Sequence, residues 1–360
     1  MKILLNGATC GTNFGDFLFA KIFQDSIGEI VGKENVYWYK SRYALSSFFE
    51  DRLDNHQEYD LKDIDALVYI SGGYFCGEDY TWKDYVRRYL RYFHIGVKCI
   101  IRKIPYAVIG LEVAQSKSKI MNFVQKKILK NAELIIVRNK ESLKSIEKYG
   151  IKDAVCTADT AFLIEKEWFS DRKIHKEIID CKKRILLFHI SPDFERNKRL
   201  IEKIVPIINR FLENHPEYAV LLTADQYSDK QDEALDEMAK YIHCDTIIKN
   251  HYDDPVALCG VIDHADVIVT SKLHVGIVGA SLNKSVISFC GHAEKIIRLY
   301  SQLKETGRTM PLDELNEQVG LDMLEKYHEL PIMVSDEIKE KAKSNLDRMN
   351  LFIQHVCRNK

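Results

Sequence analysis

The chain has 360 residues, a formal net charge of −1, 46% hydrophobic residues and 29% charged residues. This length exceeds that of one ordinary hydrophobic core and predicts two domains. The near-zero net charge gives no indication of nucleic-acid binding, and the composition lacks the signature of a disordered chain.

Cysteines and terminal sequence bear on the cellular compartment. The nine cysteines stand singly and include no C-x-x-C pair, so we predict no zinc site, redox motif or disulfide framework. The chain enters a strand-like run at Ile3, which leaves no room for a signal peptide, and no apolar run approaches the roughly 20 residues of a membrane span. These features predict a cytoplasmic protein.

Short apolar runs alternate with helical patterns in the first half of the chain. The runs cover residues 3–5, 36–39, 66–70, 106–109 and 134–137. Continuous apolar runs are typical of parallel strands covered on both faces, and the helices between them, such as 119–130, fit crossover connections. We therefore predict an α/β domain over residues 1–165.

A second series of apolar runs predicts another α/β domain over residues 166–303. Its runs cover residues 185–190, 219–223, 246–248, 267–269 and 286–289, with a helix predicted over 195–213. Two such series indicate two Rossmann-like domains facing across a cleft, with ligands bound at the carboxyl ends of the strands. Residues 304–360 form a polar connection and a last helix, which we expect to pack on the first domain.

The stretch 266–280 combines a short strand, a turn at Thr270 and Ser271, and a helix over about 272–282. A hydroxyl residue before a helical pattern indicates an N-cap, and the amides behind it form an anion site. Lys272 and His274 add charge and proton-transfer capacity there. An ordinary strand–helix unit with a solvated lysine would explain the same residues.

Loops after the early strands carry further candidates. Asn13 and Asp16 are available to bind hydroxyls, although Asp16 also fits a helix N-cap. The run Ser71-Gly72-Gly73 fits either a nest of amides for an anion or a simple tight turn.

Charged residues mark the ends of later strands. Arg138 offers the planar fork that carboxylate and phosphate prefer, with a surface ion pair as the plainer explanation, and Asp159 fits either a hinge contact or a ligand group. Asn139 is positioned to cap the following helix. In the second domain the candidates at strand ends are His189, Asp225, His292, Glu294 and Lys295, although a first helical turn holding Glu294 is the commoner explanation for the last three.

Residues 83–103 interleave basic and apolar side chains. Basic amphipathic helices of this kind either lie on an anionic membrane surface or, more often, have a solvated basic face and a buried apolar one. Peripheral contact with the inner face of the membrane is therefore a hypothesis beside the cytoplasmic prediction.

In combination, these segments resemble the polysaccharide pyruvyl transferase family. The resemblance covers about residues 1–300, and the matching pieces in family order are Gly11-Thr-Asn13-Phe-Gly15-Asp16, Ile70-Ser71-Gly72-Gly73, Val137-Arg138-Asn139-Lys-Glu-Ser142, Ala158-Asp159-Thr160 and Ser271-Lys272-Leu273-His274. The chain departs from the family pattern in two places, with Lys272 where the family usually has Arg and Asn139 where it has Asp. Lysine keeps the charge but loses the bidentate fork.

The resemblance implies a fold similar to the B-type glycosyltransferases and transfer of a pyruvyl group from phosphoenolpyruvate to two hydroxyls of a sugar, free or lipid-linked. On this reading Arg138 and Lys272, with the helix start at Ser271 and Leu273, bind the phosphate and carboxylate, and His274 moves protons. The remaining candidates would line the acceptor side: Asn13, Asp16, Ser71, Gly72, Gly73, Asp159, His189, His292, Glu294 and Lys295. We expect no metal and no cofactor beyond phosphoenolpyruvate as co-substrate.

Two alternatives stay open at this point. One is a B-type glycosyltransferase that uses a nucleotide sugar. The other is a non-catalytic glycan-binding member, which the lysine at position 272 would favour.

Overall fold

Two units make up the chain in the computed structural model, which describes residues 1–40, 45–76, 81–291 and 293–358. Unit 1 comprises Met1–Thr12, Asp16–Thr160 and Asp336–Lys360, and unit 2 comprises Asn13–Gly15 and Ala161–Ser335. The chain thus changes unit after Thr160 rather than after residue 165. Residues 304–335, predicted as a separate connection, belong to unit 2.

Unit 1 is a parallel α/β sheet with strands in the order β3-β2-β1-β4-β6-β7-β8, and β5 pairs with β6 beside this path. Its strands are β1 (Ile3–Asn6), β2 (Val36–Tyr39), β3 (Glu58–Tyr59), β4 (Ala66–Tyr69), β5 (Gly72–Phe75), β6 (Tyr106–Val113), β7 (Leu134–Val137) and β8 (Val155–Cys156). The helices numbered from the amino end are α1 (Phe14–Val31), α2 (Ser47–Glu50), α3 (Trp82–Arg88), α4 (His94–Arg102), α5 (Lys119–Asn131) and α6 (Lys140–Glu147).

Unit 2 is a second parallel sheet, with strands in the order β11-β10-β9-β12-β13-β14. Its strands are β9 (Arg184–His189), β10 (Tyr218–Thr223), β11 (Ile247–Asn250), β12 (Val267–Thr270), β13 (Ser285–Cys290) and β14 (Thr309–Pro311). Its helices are α7 (Lys176–Ile179), α8 (Lys198–Lys203), α9 (Val205–Asn214), α10 (Gln231–Ala239), α11 (Pro255–His264), α12 (Leu273–Ser281), α13 (Ala293–Leu303) and α14 (Glu317–Tyr327). The prediction of two Rossmann-like α/β domains is confirmed.

Six strands of the two sheets are buried on both faces, which explains their continuous apolar sequences. Each residue of β1, β4, β6, β10, β12 and β13 is buried. A strand covered on both faces needs apolar side chains at successive positions, so its sequence shows no alternation.

The helix predicted over 195–213 is broken in the structure. A short 3-10 turn, Phe194–Asn197, leads into α8, and α9 begins only at Val205, with proline in its first turn. Pro206 lacks an amide hydrogen and its ring clashes with the carbonyl of the preceding turn, so the helix restarts where proline is tolerated.

The last helix, α15 (Asp336–Arg358), belongs to unit 1 and packs against β6 and β7. Asn345, which is fully buried on it, donates to the carbonyl of Ala158 at 2.9 Å, and Thr157 Oγ1 donates to Asn345 Oδ1 at 2.8 Å. These bonds fix the helix beside the end of β8.

The stretch 304–333, predicted to be irregular, contains β14 and α14. Neither was predicted, because β14 is only three residues long and α14 is largely polar in sequence. Within the described ranges, no helix combines the length and apolar character that crossing a membrane requires.

Candidate functional site

In unit 2 three neighbouring strands bring polar side chains to one edge of the sheet. His189 is the last residue of β9, Asp225 follows β10, and Lys272 follows β12. Asp225 Oδ1 lies 3.1 Å from His189 Nε2 and 3.3 Å from Lys272 Nζ. Asn13 Nδ2 donates to the other carboxylate oxygen of Asp225 at 3.4 Å. The structure therefore brings together four of the residues named from the sequence, with Asp225 in contact with the other three.

Asp225 is the electrostatic centre of this cluster. It is 4% exposed, and burial by itself would raise its pKa, but the charges of Lys272 and His189 outweigh burial and hold the pKa well below its usual range. Asp225 is thus ionised at neutral pH and fixes the position of the lysine ammonium group. Because an ammonium group has three donors, Lys272 keeps donors for a second, anionic partner.

The helix start beside Lys272 differs slightly from the prediction. Thr270 Oγ1 accepts a hydrogen bond from the Lys272 amide at 3.0 Å, and α12 begins at Leu273, with Lys272 in the N-cap position and no side-chain cap. Thr270 therefore shapes the turn, while the first-turn amides of α12 are presented at the end of the helix. Ser271, Lys272, Leu273 and His274 are all half-buried there.

Close packing holds α12 and His274 in place. A Cβ at Gly279 would lie 2.6 Å from Ile268 Cδ1, as expected for a helix lying close on its sheet, whereas one at Gly276 would meet nothing nearer than 3.6 Å. A Cβ at Gly15 would lie 1.8 Å from His274 Nδ1. Gly15 belongs to the segment Asn13–Gly15 of unit 2, which is held by the hydrogen bond from the Phe14 amide to the Asp225 carbonyl at 2.9 Å. Only glycine leaves room for the imidazole at this position.

In unit 1, Arg138 forms a buried ion network and not the surface ion pair considered as its plainer explanation. Its guanidinium lies 2.5 Å from Glu112 Oε2 and 2.9 Å from Asp159 Oδ2, and the three side chains are at most 7% exposed. Burial opposes the charge of Arg138, but Asp159 and Glu112 raise its pKa. Both arms of the guanidinium fork are therefore occupied by protein carboxylates.

Glu112 was missed by the sequence prediction, although a signal was present. It lies inside the apolar strand β6, where an acidic side chain requires a buried partner. The neighbouring prediction for Asn139 is confirmed, because its side chain accepts from the Ser142 amide at 2.8 Å and caps α6.

The glycine pair after β4 is neither a nest nor a tight turn. Gly72 and Gly73 begin strand β5, which pairs with β6. Ser71 is 2% exposed, and its hydroxyl accepts from Thr160 Oγ1 at 3.2 Å. Gly110, at φ 64°, passes so close that a Cβ there would lie 2.2 Å from Ser71 Oγ. A role of these residues in acceptor binding stays a prediction.

Asp16 on α1 and Glu294 and Lys295 on α13 are the remaining candidates that the structure describes. Asp16 stands in the first turn of α1 and not at its N-cap, since the helix begins at Phe14. Glu294, exposed on α13, pairs with Arg298 at 2.6 Å, and Lys295 is half-buried on the same helix. His292 lies outside the described residues.

Solved structures similar to this chain share its fold. S. aureus MnaA, solved with UDP, aligns with a TM-score of 0.62 and 13% identity, covering 98% of this chain and 97% of that one. UDP-GlcNAc 2-epimerase from Neisseria meningitidis, bound to UDP-GlcNAc, aligns with a TM-score of 0.60 and 12% identity, covering 97% and 99%. MurG from Acinetobacter baumannii aligns with a TM-score of 0.54 and 10% identity, covering 98% and 99%. The predicted similarity to B-type glycosyltransferase folds is confirmed.

Comparison with curated proteins finds no match. The profile of the family described as polysaccharide pyruvyl transferase matches residues 13–290. This range spans the motif Ser271-Lys272-Leu273-His274 and the strand ends that carry His189, Asp225 and Arg138. The chain therefore belongs to the polysaccharide pyruvyl transferase family.

Proposed function

We propose that this protein transfers a pyruvyl group from phosphoenolpyruvate to two hydroxyls of a sugar, forming a pyruvate ketal and releasing phosphate. The observation that carries the proposal is the start of α12, where Lys272 and His274 stand beside the Asp225 cluster within the family motif. A helix start with an adjacent ammonium group suits a phosphate or carboxylate, and phosphoenolpyruvate has both.

The chemistry requires one proton to be added to carbon and one to be removed from each of the two hydroxyls, with no redox step. A proton added to the methylene carbon of phosphoenolpyruvate makes the neighbouring carbon electrophilic, and the first sugar hydroxyl forms a bond to it while losing its proton. Phosphate then leaves with the electrons of its C–O bond, and the second hydroxyl closes the ketal. Of the two hydroxyl protons, one balances the proton given to the methylene carbon and the other leaves with phosphate.

His274 is the proposed acid and base, because an imidazole exchanges protons near neutral pH. Its ring is held against Gly15, which limits the orientations it can adopt. Lys272 is the proposed contact for the leaving phosphate, with Asp225 fixing the ammonium group from the other side. Asp225 thereby acts as a positioning residue, and it supplies the rigidity that lysine lacks in comparison with arginine.

Arg138 remains proposed as a contact for phosphoenolpyruvate, but its carboxylate partners impose a condition. A ligand anion would have to displace Glu112 or Asp159, or use an edge of the guanidinium that they leave open. Arg138 also has a structural function, because it neutralises the buried carboxylates of Glu112 and Asp159.

The test is incubation with phosphoenolpyruvate and candidate free or lipid-linked oligosaccharides. We expect acceptor-dependent phosphate release and a product heavier by one pyruvate less one water. His274→Asn should abolish both signals, and His243→Asn, at an exposed position in unit 2, serves as the matched control. Wild-type rates in the His274 variant would refute its role.

The alternatives give different results in the same experiment. One alternative is a nucleotide-sugar glycosyltransferase, since two of the similar structures were solved with UDP or UDP-GlcNAc. Such an enzyme would be stabilised thermally by UDP and not by phosphoenolpyruvate. A non-catalytic member would bind glycan without releasing phosphate under any condition.

We further propose that the sugar acceptor lies at an anionic membrane surface, to which the positive charge concentrated in one segment of unit 1 would attract the protein. Residues 81–130 contain twelve Lys and Arg against two acidic residues, in a chain whose net charge is −1. One of the two acids, Glu112, is already paired with buried Arg138. An anionic bilayer attracts each Lys or Arg near its surface by about 1 kcal/mol.

Exposed apolar side chains accompany this charge. Trp82, Val86 and Leu90 follow one another at four-residue steps and are 71%, 39% and 42% exposed. Ile120 and Phe123 on α5 are 66% and 65% exposed. A hydrogen bond of 3.3 Å from Ser116 to the Tyr85 hydroxyl brings the start of α5 beside α3. We call these five apolar residues, together with the Lys and Arg residues of 81–130, the 82–123 surface. Apolar side chains amid basic ones suit the headgroup region of an anionic bilayer.

Sedimentation with phosphatidylcholine vesicles, with and without phosphatidylglycerol, tests this surface. We expect binding only to the anionic vesicles, weakened by salt and by Trp82→Ala combined with Phe123→Ala. Leu351→Ala, at a 64% exposed position of α15, is the matched control. Failure of the wild-type protein to sediment at low salt, or equal loss in the control, would exclude the membrane contact and leave the reaction on a soluble acceptor unaffected.

A further inference from the structure

Two histidines and a glutamate meet in unit 2 at the end of the sheet opposite the Asp225 cluster. The ligand atoms of His215, Glu325 and His328 all lie within 4.8 Å of one another. His215 stands just before β10 and Asp225 just after it, so the two clusters are separated by the length of a six-residue strand, about 20 Å. The proposed reaction makes no use of the histidine cluster.

We propose that His215, Glu325 and His328 bind a zinc ion that clamps α14 to the junction of α9 and β10. Two imidazoles, one carboxylate and a water molecule are a donor set that zinc accepts in tetrahedral geometry. Zinc bonds of about 2.0–2.1 Å place neighbouring donors roughly 3.3 Å apart. The ligand atoms lie within 4.8 Å of one another, so rotations of the partly exposed His215 and Glu325 side chains would bring them to that spacing.

The outer partners of this cluster match those of a metal site. His215 Nδ1 lies 3.1 Å from Glu217 Oε1, and His328 Nδ1 lies 3.1 Å from the Tyr218 hydroxyl. Each imidazole thus has one nitrogen held by an oxygen, which orients the ring, and His215 directs its Nε2 at Glu325. Asn214 donates to Glu325 Oε1 at 3.0 Å and fixes the carboxylate in the same way.

The charges around the cluster also favour a cation. His215 Nε2 bonds Glu325 Oε2 at 2.8 Å, so a zinc ion would replace the proton shared by these two atoms. Glu217 and Glu325 together supply the two negative charges that balance the ion. One nearby cation, Arg184, is paired with Glu329 at 2.6 Å.

Zinc titration of chelator-treated full-length protein against a chromophoric zinc indicator tests the proposal. We expect one zinc per chain, a rise in melting temperature with zinc, and affinity at least about tenfold weaker in Glu325→Gln and His215→Gln. His251→Gln is the matched control, because His251 forms an imidazole–carboxylate pair with Asp232 in the same unit and is no member of the cluster. Thermal unfolding without zinc shows whether each variant folds.

Cobalt substitution identifies the ligands, because the chain also carries nine free cysteines. Tetrahedral cobalt bound to nitrogen and oxygen should absorb in the visible range without thiolate-to-metal charge-transfer bands. Absence of stoichiometric binding, thiolate bands, or equal affinity in wild type and Glu325→Gln would overturn the proposal and leave an ion-pair network at this position.

Discussion

Replacement of Arg138 by alanine should destabilise unit 1 strongly. The substitution leaves Glu112 and Asp159 without their shared cation in a site where the three side chains are 4–7% exposed. Removing one partner from a buried ion network typically costs about 3–5 kcal/mol. For a unit of this size each kcal/mol lowers the melting temperature by about 2–4 °C, so we expect a fall of roughly 6–20 °C.

Urea unfolding followed by circular dichroism measures this loss, with two variants for comparison. Arg87→Ala removes an arginine of the same unit from an exposed pair with Asp84 and should cost at most about 1 kcal/mol. The triple variant Arg138→Met, Glu112→Gln, Asp159→Asn removes all three charges together and should recover most of the stability lost in Arg138→Ala.

The same variants separate the structural function of Arg138 from ligand binding. A loss below about 1 kcal/mol in Arg138→Ala would refute the reasoning from buried charge. If the triple variant folds but releases no phosphate from phosphoenolpyruvate, then at least one of these three residues has a function beyond stability. If the triple variant retains activity, Arg138 is structural only.

Three further outcomes follow from the geometry. Gly15→Ala should displace the His274 ring, because the new Cβ would lie 1.8 Å from its Nδ1, and should reduce phosphate release in a folded protein. Gly11→Ala is the control, because a Cβ there meets nothing within 4 Å, and it should leave phosphate release unchanged. Equal effects of the two substitutions would contradict this explanation. Lys272→Arg, which supplies the usual family residue, should lower KM for phosphoenolpyruvate through a bidentate contact, and an unchanged KM would argue against a contact at this position. Burial lowers the pKa of His215, but hydrogen bonds to Glu325 and Glu217 outweigh it and raise the pKa. Its contribution to stability is therefore complete below about pH 6.5 and is lost as the pH rises through the folded-state pKa. Melting temperatures in chelator should show this slope in the wild type and not in His215→Gln.

Strand positions and candidate site residues were predictable from the sequence because both depend on local order. A strand buried on both faces needs a continuous apolar run, so the boundaries of β2 and β7 match their predictions at both ends. Parallel strands place their carboxyl ends on one edge of a sheet, so polar residues after such runs, including His189 and Lys272, are natural site candidates. Pro206, which breaks the predicted long helix, was also visible in the sequence.

Tertiary structure alone decided which of these residues meet. The strand order β10-β9-β12 places Asp225 between His189 and Lys272, and no local pattern encodes that order. Similarly, Arg138 is engaged by Glu112 and Asp159 because β6, β7 and β8 are neighbours in the sheet. The sequence by itself thus determined the α/β fold, the family motifs and the order of strand, turn and helix over residues 266–280. The pairing of charges depended on long-range packing, which sets the distance between residues far apart in the chain.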